Sequence, residues 1–150
     1  MSMGDKPFNV DDNLNNSVIK KKIRAQNILG LDDANNVETY MLCLALGVNK
    51  GERTRSKSSI AWVRPSSMGE ENLAYINAVA LNELLKTNQE NLITDDKVVY
   101  EIIEEYVNTG LKVIDEMVDD TGEYDKEEFS LELLSMLDDE YYRIMNSHLY

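Results

Sequence analysis

Apolar residues recur along much of this chain at the three- and four-residue spacing of an α-helix. Residues 95–118 have the most regular pattern, and five acidic residues of this stretch fall largely outside it. Asp95 is a residue type that often caps the start of a helix. We therefore predict a long amphipathic helix from Asp95 to about Val118, with these residues on its apolar face: Val99, Ile102, Ile103, Tyr106, Gly110, Val113, Ile114 and Met117.

Gly110 is unusual within this apolar stripe. A glycine in the middle of a helix costs about 1 kcal/mol in helix propensity relative to alanine. We expect a neighbouring helix to pack closely against Gly110, because only a residue without a side chain permits such an approach.

The first half of the chain is less regular. Residues 1–16 are polar and rich in Asn and Asp, which favours a loose arm. Residues 17–29 alternate in a way that allows either a short basic helix or a strand. Residues 36–47 are apolar on nearly all sides, which is typical of a buried helix, and Gly47 is a candidate stop. The β-prone run "SIAWVRP", residues 59–65, ends in a proline and predicts a short extended segment.

Two pairs of residues have the spacing of a helix capping box. Ser67 with Glu70 predicts a helix that ends near Lys86, and Asp125 with Glu128 predicts the start of a last helix. We find no internal repeat and no obvious linker. The predicted fold is mostly α, a compact bundle of four to five helices in which residues 17–150 form one domain. The inward positions of the last helix are Phe129, Leu133, Leu137, Tyr141 and Ile144.

Charge is distributed unevenly along the chain. The total is −13, but residues 1–65 carry ten Lys or Arg and seven Asp or Glu, whereas residues 66–150 carry five and twenty-one. An acidic half of this kind repels nucleic acid and attracts basic partners, or it forms a solvated surface that aids solubility.

A basic loop interrupts the acidic protein. The segment "GVNKGERTRSKSS", residues 47–59, combines cations with glycines and hydroxyl side chains, which are groups used against phosphates. Trp62, on the adjoining segment, adds a ring on which a nucleic-acid base could stack. Three uses stay open: pairing with acidic helices of the same protein or another subunit, contact with a protein partner, or contact with nucleic acid. The candidate partner- or phosphate-binding residues are Lys50, Arg53, Arg55, Lys57, Trp62 and Arg64.

No pattern of residues indicates catalysis, a cofactor or a metal. His148 is the only histidine, which excludes a multi-histidine site, and burial is expected to make Cys43 inert. Residues 117–128 imitate a calcium loop, but Met117 stands where the first oxygen ligand is needed. Adjacent carboxylates such as Glu104 and Glu105 point apart on a helix, so we expect a solvated face instead of a magnesium site. The expectation is a protein that is not an enzyme.

Composition favours a cytoplasmic protein. The one cysteine cannot form an internal disulfide, no apolar run is long enough to span a bilayer, and no secretory signal pattern begins the chain. We therefore expect no membrane association. Self-association has no specific signal in the sequence.

Two stretches resemble a family of small bacterial proteins that is associated with the Dnd system of DNA phosphorothioation. They are "ETYMLCLALGVNKGERTRS…IAWVRP" and "IIEEYVNTGLKVIDEM", and the resemblance covers about residues 37–64 and 99–117. The resemblance implies an accessory protein of an antiviral defence locus that modifies or restricts DNA, with no assigned catalytic residue. Its expected partners are protein subunits of that complex, and any contact with nucleic acid is expected to be indirect.

Two other functions remain as alternatives. In one, the protein binds DNA directly, either through the basic loop or as a ribbon-helix-helix-like fold with residues 17–24 as the ribbon. In the other, it is an acidic inhibitor that mimics DNA through carboxylates such as Glu101, Glu104 and Glu105. The charge of residues 66–150 agrees with mimicry, but the basic loop does not.

Overall fold

The computed structural model describes residues 5–24 and 36–118, together with four single helical positions further along, Leu131, Ser135, Asp138 and Ile144. Helices dominate these residues, so the prediction of a mostly α-helical, compact fold is confirmed. The elements are β1 (Phe8–Asp11), α1 (Asp12–Leu14), a π-helix (Asn15–Arg24), α2 (Asn36–Lys50), β2 (Ser59–Val63), a 3₁₀ turn (Pro65–Ser67), α3 (Glu70–Leu85), a second 3₁₀ turn (Glu90–Thr94) and α4 (Asp96–Met117).

Helix α4 is the central element of the core. As predicted, Asp95 caps it, and its side chain accepts a hydrogen bond of 3.1 Å from the N–H of Lys97. The apolar stripe is buried from Val99 to Ile114 except for Val113, which is half-buried, and α4 makes its most extensive contact with α2. Helix α2 is buried on most sides, as its composition predicts.

Two glycines bring α2 and α4 into backbone contact. A Cβ atom built at Gly110 would lie 1.8 Å from the carbonyl oxygen of Cys43, and one built at Gly47 would lie 1.8 Å from that of Tyr106. The predicted close approach at Gly110 is therefore confirmed. The prediction that Gly47 stops α2 is wrong, because the helix continues to Lys50. The chain turns instead at Gly51, which has a φ of +75°.

The two strands form an antiparallel sheet. Strand β1 lies within residues 1–16, for which the sequence predicted a loose arm and no strand. Strand β2 confirms the predicted extended segment, and it pairs with β1 in the register Asn9↔Ala61, Val10↔Ile60 and Asp11↔Ser59. Phe8 is 0% exposed and its ring stacks on Tyr100 with centroids 4.2 Å apart. Within residues 1–16, the part from Phe8 to Leu14 is thus a strand and a helical turn held by the core.

The π-helix covers residues 17–24 of the segment 17–29, for which the sequence allowed a helix or a strand; residues 25–29 lie outside the described residues. Residues 17–24 are helical, and Val18, Ile19 and Ile23 are buried against the core, so the ribbon of a ribbon-helix-helix fold is contradicted here. Lys22 anchors this helix to the end of α4. Its ammonium group donates to Asp115 Oδ1 at 2.6 Å and to the carbonyl oxygen of Val118 at 2.8 Å.

Helix α3 begins differently from the prediction. Gly69, with a φ of +81°, is its N-cap, and no side chain caps it, so the capping box of Ser67 with Glu70 is wrong. Ser67 belongs to a 3₁₀ turn that Pro65 opens and that is followed by the buried Met68. The predicted end near Lys86 is confirmed.

Several predictions lie outside the described residues. They are the capping pair Asp125 and Glu128, most of the calcium-like segment, His148, and four predicted inward positions of the last helix: Phe129, Leu133, Leu137 and Tyr141. Among the residues that are described, no helix is both long and apolar enough to cross a membrane.

Candidate functional site: the basic loop on helix α4

The predicted contact residues lie along one continuous stretch of chain. Lys50 ends α2 and is exposed; Arg53, Arg55 and Lys57 lie on the loop between α2 and β2. Trp62 belongs to β2, and Arg64 directly follows that strand. These side chains differ sharply in their contacts.

Arg53 is held between two helices of its own chain. Its Nε lies 3.2 Å from Glu105 Oε1 on α4, and its Nη1 lies 3.7 Å from Glu83 Oε1 on α3. Its side chain is only 30% exposed. Glu83 also accepts a hydrogen bond from the hydroxyl of Tyr106. Arg53 therefore fixes the loop to the helical core.

The middle of the loop is bonded to the buried side of α4. The N–H of Thr54 donates to the carbonyl oxygen of Glu105 at 3.0 Å, and the hydroxyls of Thr54 and Thr109 lie 2.8 Å apart. The Nδ2 of Asn108 donates to the carbonyl oxygen of Thr54 at 3.1 Å. Because these contacts involve the backbone of Thr54, the position of the loop relative to α4 is fixed.

The same face of α4 covers the outer edge of β1. Glu104 Oε2 accepts a hydrogen bond of 2.6 Å from the N–H of Asn9, and Asn108 Oδ1 accepts one of 2.8 Å from the N–H of Asp11. Four helical residues span about 6 Å and two strand residues about 6.6 Å, so the acceptors match the donors in spacing. Asn108, which is 2% exposed, thus joins α4, the loop and β1.

Burial changes the acidity of this face. It raises the pKa of Glu104, although the hydrogen bond from Asn9 opposes the rise. Burial also raises the pKa of Glu105, and the nearby Arg53 opposes that rise. The expectation that Glu104 and Glu105 form a solvated face is therefore wrong: both carboxylates are partly buried and bonded within the protein.

The remaining cations are more exposed. Arg55 has an 86% exposed side chain and lies 3.9 Å from Glu101, which is a distant pair at the surface. Arg64, 60% exposed, donates to the carbonyl oxygen of Asp5 at 3.0 Å. Lys57 is exposed and makes no ion pair within the described residues. Lys50, Arg55, Lys57 and Arg64 are accordingly the cations of the predicted set that remain accessible to a partner.

Trp62 faces the core on one side. Its ring meets that of Tyr40 edge-on, with centroids 5.3 Å apart, and its indole nitrogen is buried without a hydrogen-bond partner among the described residues. Whether the ring also stacks on a ligand stays a prediction. Cys43 is buried, as expected, and its burial raises the pKa of the thiol.

A cleft of about 450 Å³ opens between the loop, β1 and α4. Cations such as Lys6, Arg55 and Lys97 and acids such as Glu101 and Glu104 line it together. This mixture of charges gives the cleft no clear preference for anions or cations. Within the described ranges, no group of three or more His, Cys, Asp or Glu side chains is placed to hold a metal ion.

Sequence reasoning missed the residues that hold the loop, namely Glu83, Glu105 and Asn108. A weak signal was present, because Asn108 and Thr109 are uncharged polar residues beside the apolar stripe of α4. Buried polar residues of this kind need hydrogen-bond partners. The identity of those partners requires the three-dimensional arrangement.

The described fold defines a mostly α-helical protein with a two-stranded sheet and a basic loop bonded to its central helix. Residues 34–146 match the family model for DNA sulphur modification system-associated protein 4, and the chain belongs to this family. This confirms the resemblance to Dnd-associated proteins. The basic loop lies within the matched range, whereas β1 and the π-helix precede it. No curated protein and no solved structure matches the chain.

Proposed function

We propose that this protein is a non-catalytic adaptor of a bacterial DNA sulphur modification and defence system, and that it acts through contacts with other protein subunits. The family supports a place in such a system. The observation that carries the adaptor role is a fixed loop that presents exposed cations. Thr54 and Arg53 are bonded to α4, while Arg55 and Lys57 beside them remain exposed.

A protein partner agrees better with the charges than direct binding of DNA does. Affinity for DNA depends on the number of phosphates that are neutralised. Arg53 is committed to Glu83 and Glu105, which leaves few accessible cations in the loop, and the whole chain carries a charge of −13. Mimicry of DNA by α4 is also disfavoured, since Glu104 and Glu105 bond to groups of the protein itself.

The test is purification of the tagged protein from its host after nuclease treatment. We expect a protein subunit of the modification or restriction system to be recovered. Replacing Arg55 and Lys57 by Glu should reduce its recovery at least about tenfold, because each reversal exchanges attraction for repulsion at the contact. The matched control replaces the exposed Lys20 and Lys21 by Glu, which changes the charge equally on the π-helix.

Three results would contradict the proposal. Recovery of no protein subunit would remove the adaptor role. Equal losses in the loop variant and in the control would show an effect of total charge instead of a surface. Tight binding of a DNA duplex by the purified protein, lost in the loop variant, would favour direct DNA binding.

A further inference from the structure

The two outer edges of the sheet differ in whether their backbone groups are covered. The edge of β1 is covered, because Glu104 and Asn108 accept the hydrogen bonds of its N–H groups. The edge of β2 has no neighbouring strand among the described residues. Ser59, Ile60 and Ala61 are all exposed, so none of the residues in 5–24 or 36–118 covers this end of β2.

The register shows which backbone groups face outward from β2. Antiparallel pairs alternate between residues that exchange hydrogen bonds and residues that point away from each other. The N–H of Asn9 points away from β2, since it donates to Glu104. Asn9 is paired with Ala61, so the backbone N–H and C=O of Ala61 likewise point away from β1. Ser59, two residues earlier, points the same way. Both present peptide groups to the outside.

The first three residues of β2, Ser59 to Ala61, lack the features with which proteins usually protect such an edge. Proline, charged side chains and bulges are common means of blocking edge pairing. None of the residues from Ser59 to Val63 is charged or a proline. The pairing skips Trp62, so β2 is irregular between Ala61 and Val63, but Ser59, Ile60 and Ala61 pair with β1 in regular register. Ile60 adds a large apolar side chain that is 42% exposed.

We propose that β2 is a docking edge, and that an extended, acidic segment of a partner protein binds there as a third strand. Backbone hydrogen bonds to Ser59 and Ala61 supply affinity in this mode, and side-chain contacts supply specificity. Exposed cations lie at both ends of the edge, with Lys57 before it and Arg64 after it, so acidic residues at the ends of the bound segment complete the match. The identification of the occupant as a partner subunit rests on the proposed adaptor function.

Charge also argues against a second copy of the chain as the occupant. Antiparallel pairing of two β2 strands centred on Ala61 sets Ser58 of one copy opposite Arg64 of the other. Lys57 and Arg64 of different copies then lie close together, and like charges across a strand pair are destabilising. The chain's total charge of −13 adds repulsion between copies.

The test uses ¹⁵N-labelled full-length protein and a blocked heptapeptide of alternating Val and Glu. We expect the peptide to shift the amide signals of Ser59 and Ala61 and to slow their hydrogen exchange. The same peptide with Lys in place of Glu should bind at least about tenfold more weakly. Lys57→Glu should weaken binding of the Glu peptide by a similar factor, while the control Lys20→Glu should leave it unchanged.

A second pair of variants tests the backbone contact. Ala61→Pro removes the outward N–H and should abolish binding, whereas Ala61→Val keeps the N–H and should retain it. Thermal unfolding of both variants shows whether each is folded, and loss of peptide binding in a folded Ala61→Pro protein supports the edge directly.

The proposal is overturned if neither peptide shifts Ser59 and Ala61 at millimolar concentration or if the Lys peptide binds equally well. It is also overturned if a DNA duplex produces the same shifts with higher affinity, or if the unliganded protein dimerises through β2. The adaptor function is judged separately. Peptide binding without a partner in the host purification would leave the edge intact and remove the adaptor role, and the reverse result would remove only the edge.

Discussion

Gly110 lies so close to Cys43 that a Cβ atom on the glycine would fall 1.8 Å from the cysteine carbonyl oxygen. Gly47 makes the equivalent contact with the carbonyl of Tyr106. The neighbouring atoms belong to the backbone, so rotation of a side chain cannot relieve the overlap. The approach of α2 to α4 therefore depends on both glycines.

Gly110→Ala should destabilise the protein despite the better helix propensity of alanine. Propensity favours alanine by about 1 kcal/mol, but overpacking against the backbone of α2 costs more. We expect a net loss of about 2 kcal/mol in the free energy of unfolding, measured by urea denaturation. Lys112→Ala, at an exposed position of α4, is the control and should change stability by less than about 0.5 kcal/mol. Unchanged stability in Gly110→Ala would contradict the observed contact.

Asn108→Ala should release both β1 and the basic loop. It leaves the N–H of Asp11 and the carbonyl oxygen of Thr54 without their partner, which costs about 1–3 kcal/mol. Hydrogen exchange should become faster at Thr54 and Asp11 but not in the middle of α2. Asn13→Ala, at an exposed position, is the matched control. Equal exchange rates in Asn108→Ala and wild type would show that Asn108 does not hold the loop.

Replacing Arg53 should lower the stability of the protein more than replacing Arg55, although both arginines lie in the same loop. Arg53→Ala removes the partner of Glu83 and Glu105, and we expect it to lower the free energy of unfolding by about 1 kcal/mol. Arg55→Ala removes an exposed, distant pair and should change stability by less than about 0.5 kcal/mol. Thermal or urea unfolding of the two variants measures the difference. Equal losses would contradict a structural role specific to Arg53.

Glu104 gives the stability of the protein a defined dependence on pH. Burial raises its pKa above the ordinary 4.5, so the folded state binds the proton more tightly than the unfolded state does. Its favourable contribution is fully present below pH 4.5 and is lost as the pH rises through the folded-state pKa. Glu104→Gln keeps an acceptor for Asn9 and removes the charge.

The stability of Glu104→Gln relative to wild type should therefore increase as the pH is raised from 4 to 7. Urea denaturation at several values of pH measures this difference. Glu116→Gln, at an exposed position of the same helix, controls for the loss of one negative charge. A difference that stays constant or decreases with rising pH would contradict the raised pKa.

Periodicity over long stretches predicted much of this fold. The apolar stripe of residues 95–118 predicted α4 with its Asp95 cap, and the run from 59 predicted β2, because each pattern is local. Strand β1 was missed since only Phe8 and Val10 alternate inward, and two positions do not establish a period. Its stability comes instead from Tyr100 and Glu104, far along the chain.

The candidate site was only partly predictable for the same reason. Composition identified the basic loop and its cations. Which cations stay accessible depends on Glu83 and Glu105, whose closeness to Arg53 follows from the packing of α3, α4 and the loop. A capping-box spacing at Ser67 was likewise overridden when Pro65 opened a separate turn.

The contact between β1 and α4 affects the order in which the protein matures during its synthesis. Asn9 leaves the ribosome early, but Glu104 is added 95 residues later. At about 5–20 residues per second, that interval lasts about 5–20 seconds. During this time β1 lacks the side chains that will cover its outer edge and the ring on which Phe8 will stack. A nascent chain stalled before α4 would therefore leave the outer edge of β1 uncovered, and interception by chaperones is expected to be greatest in this interval.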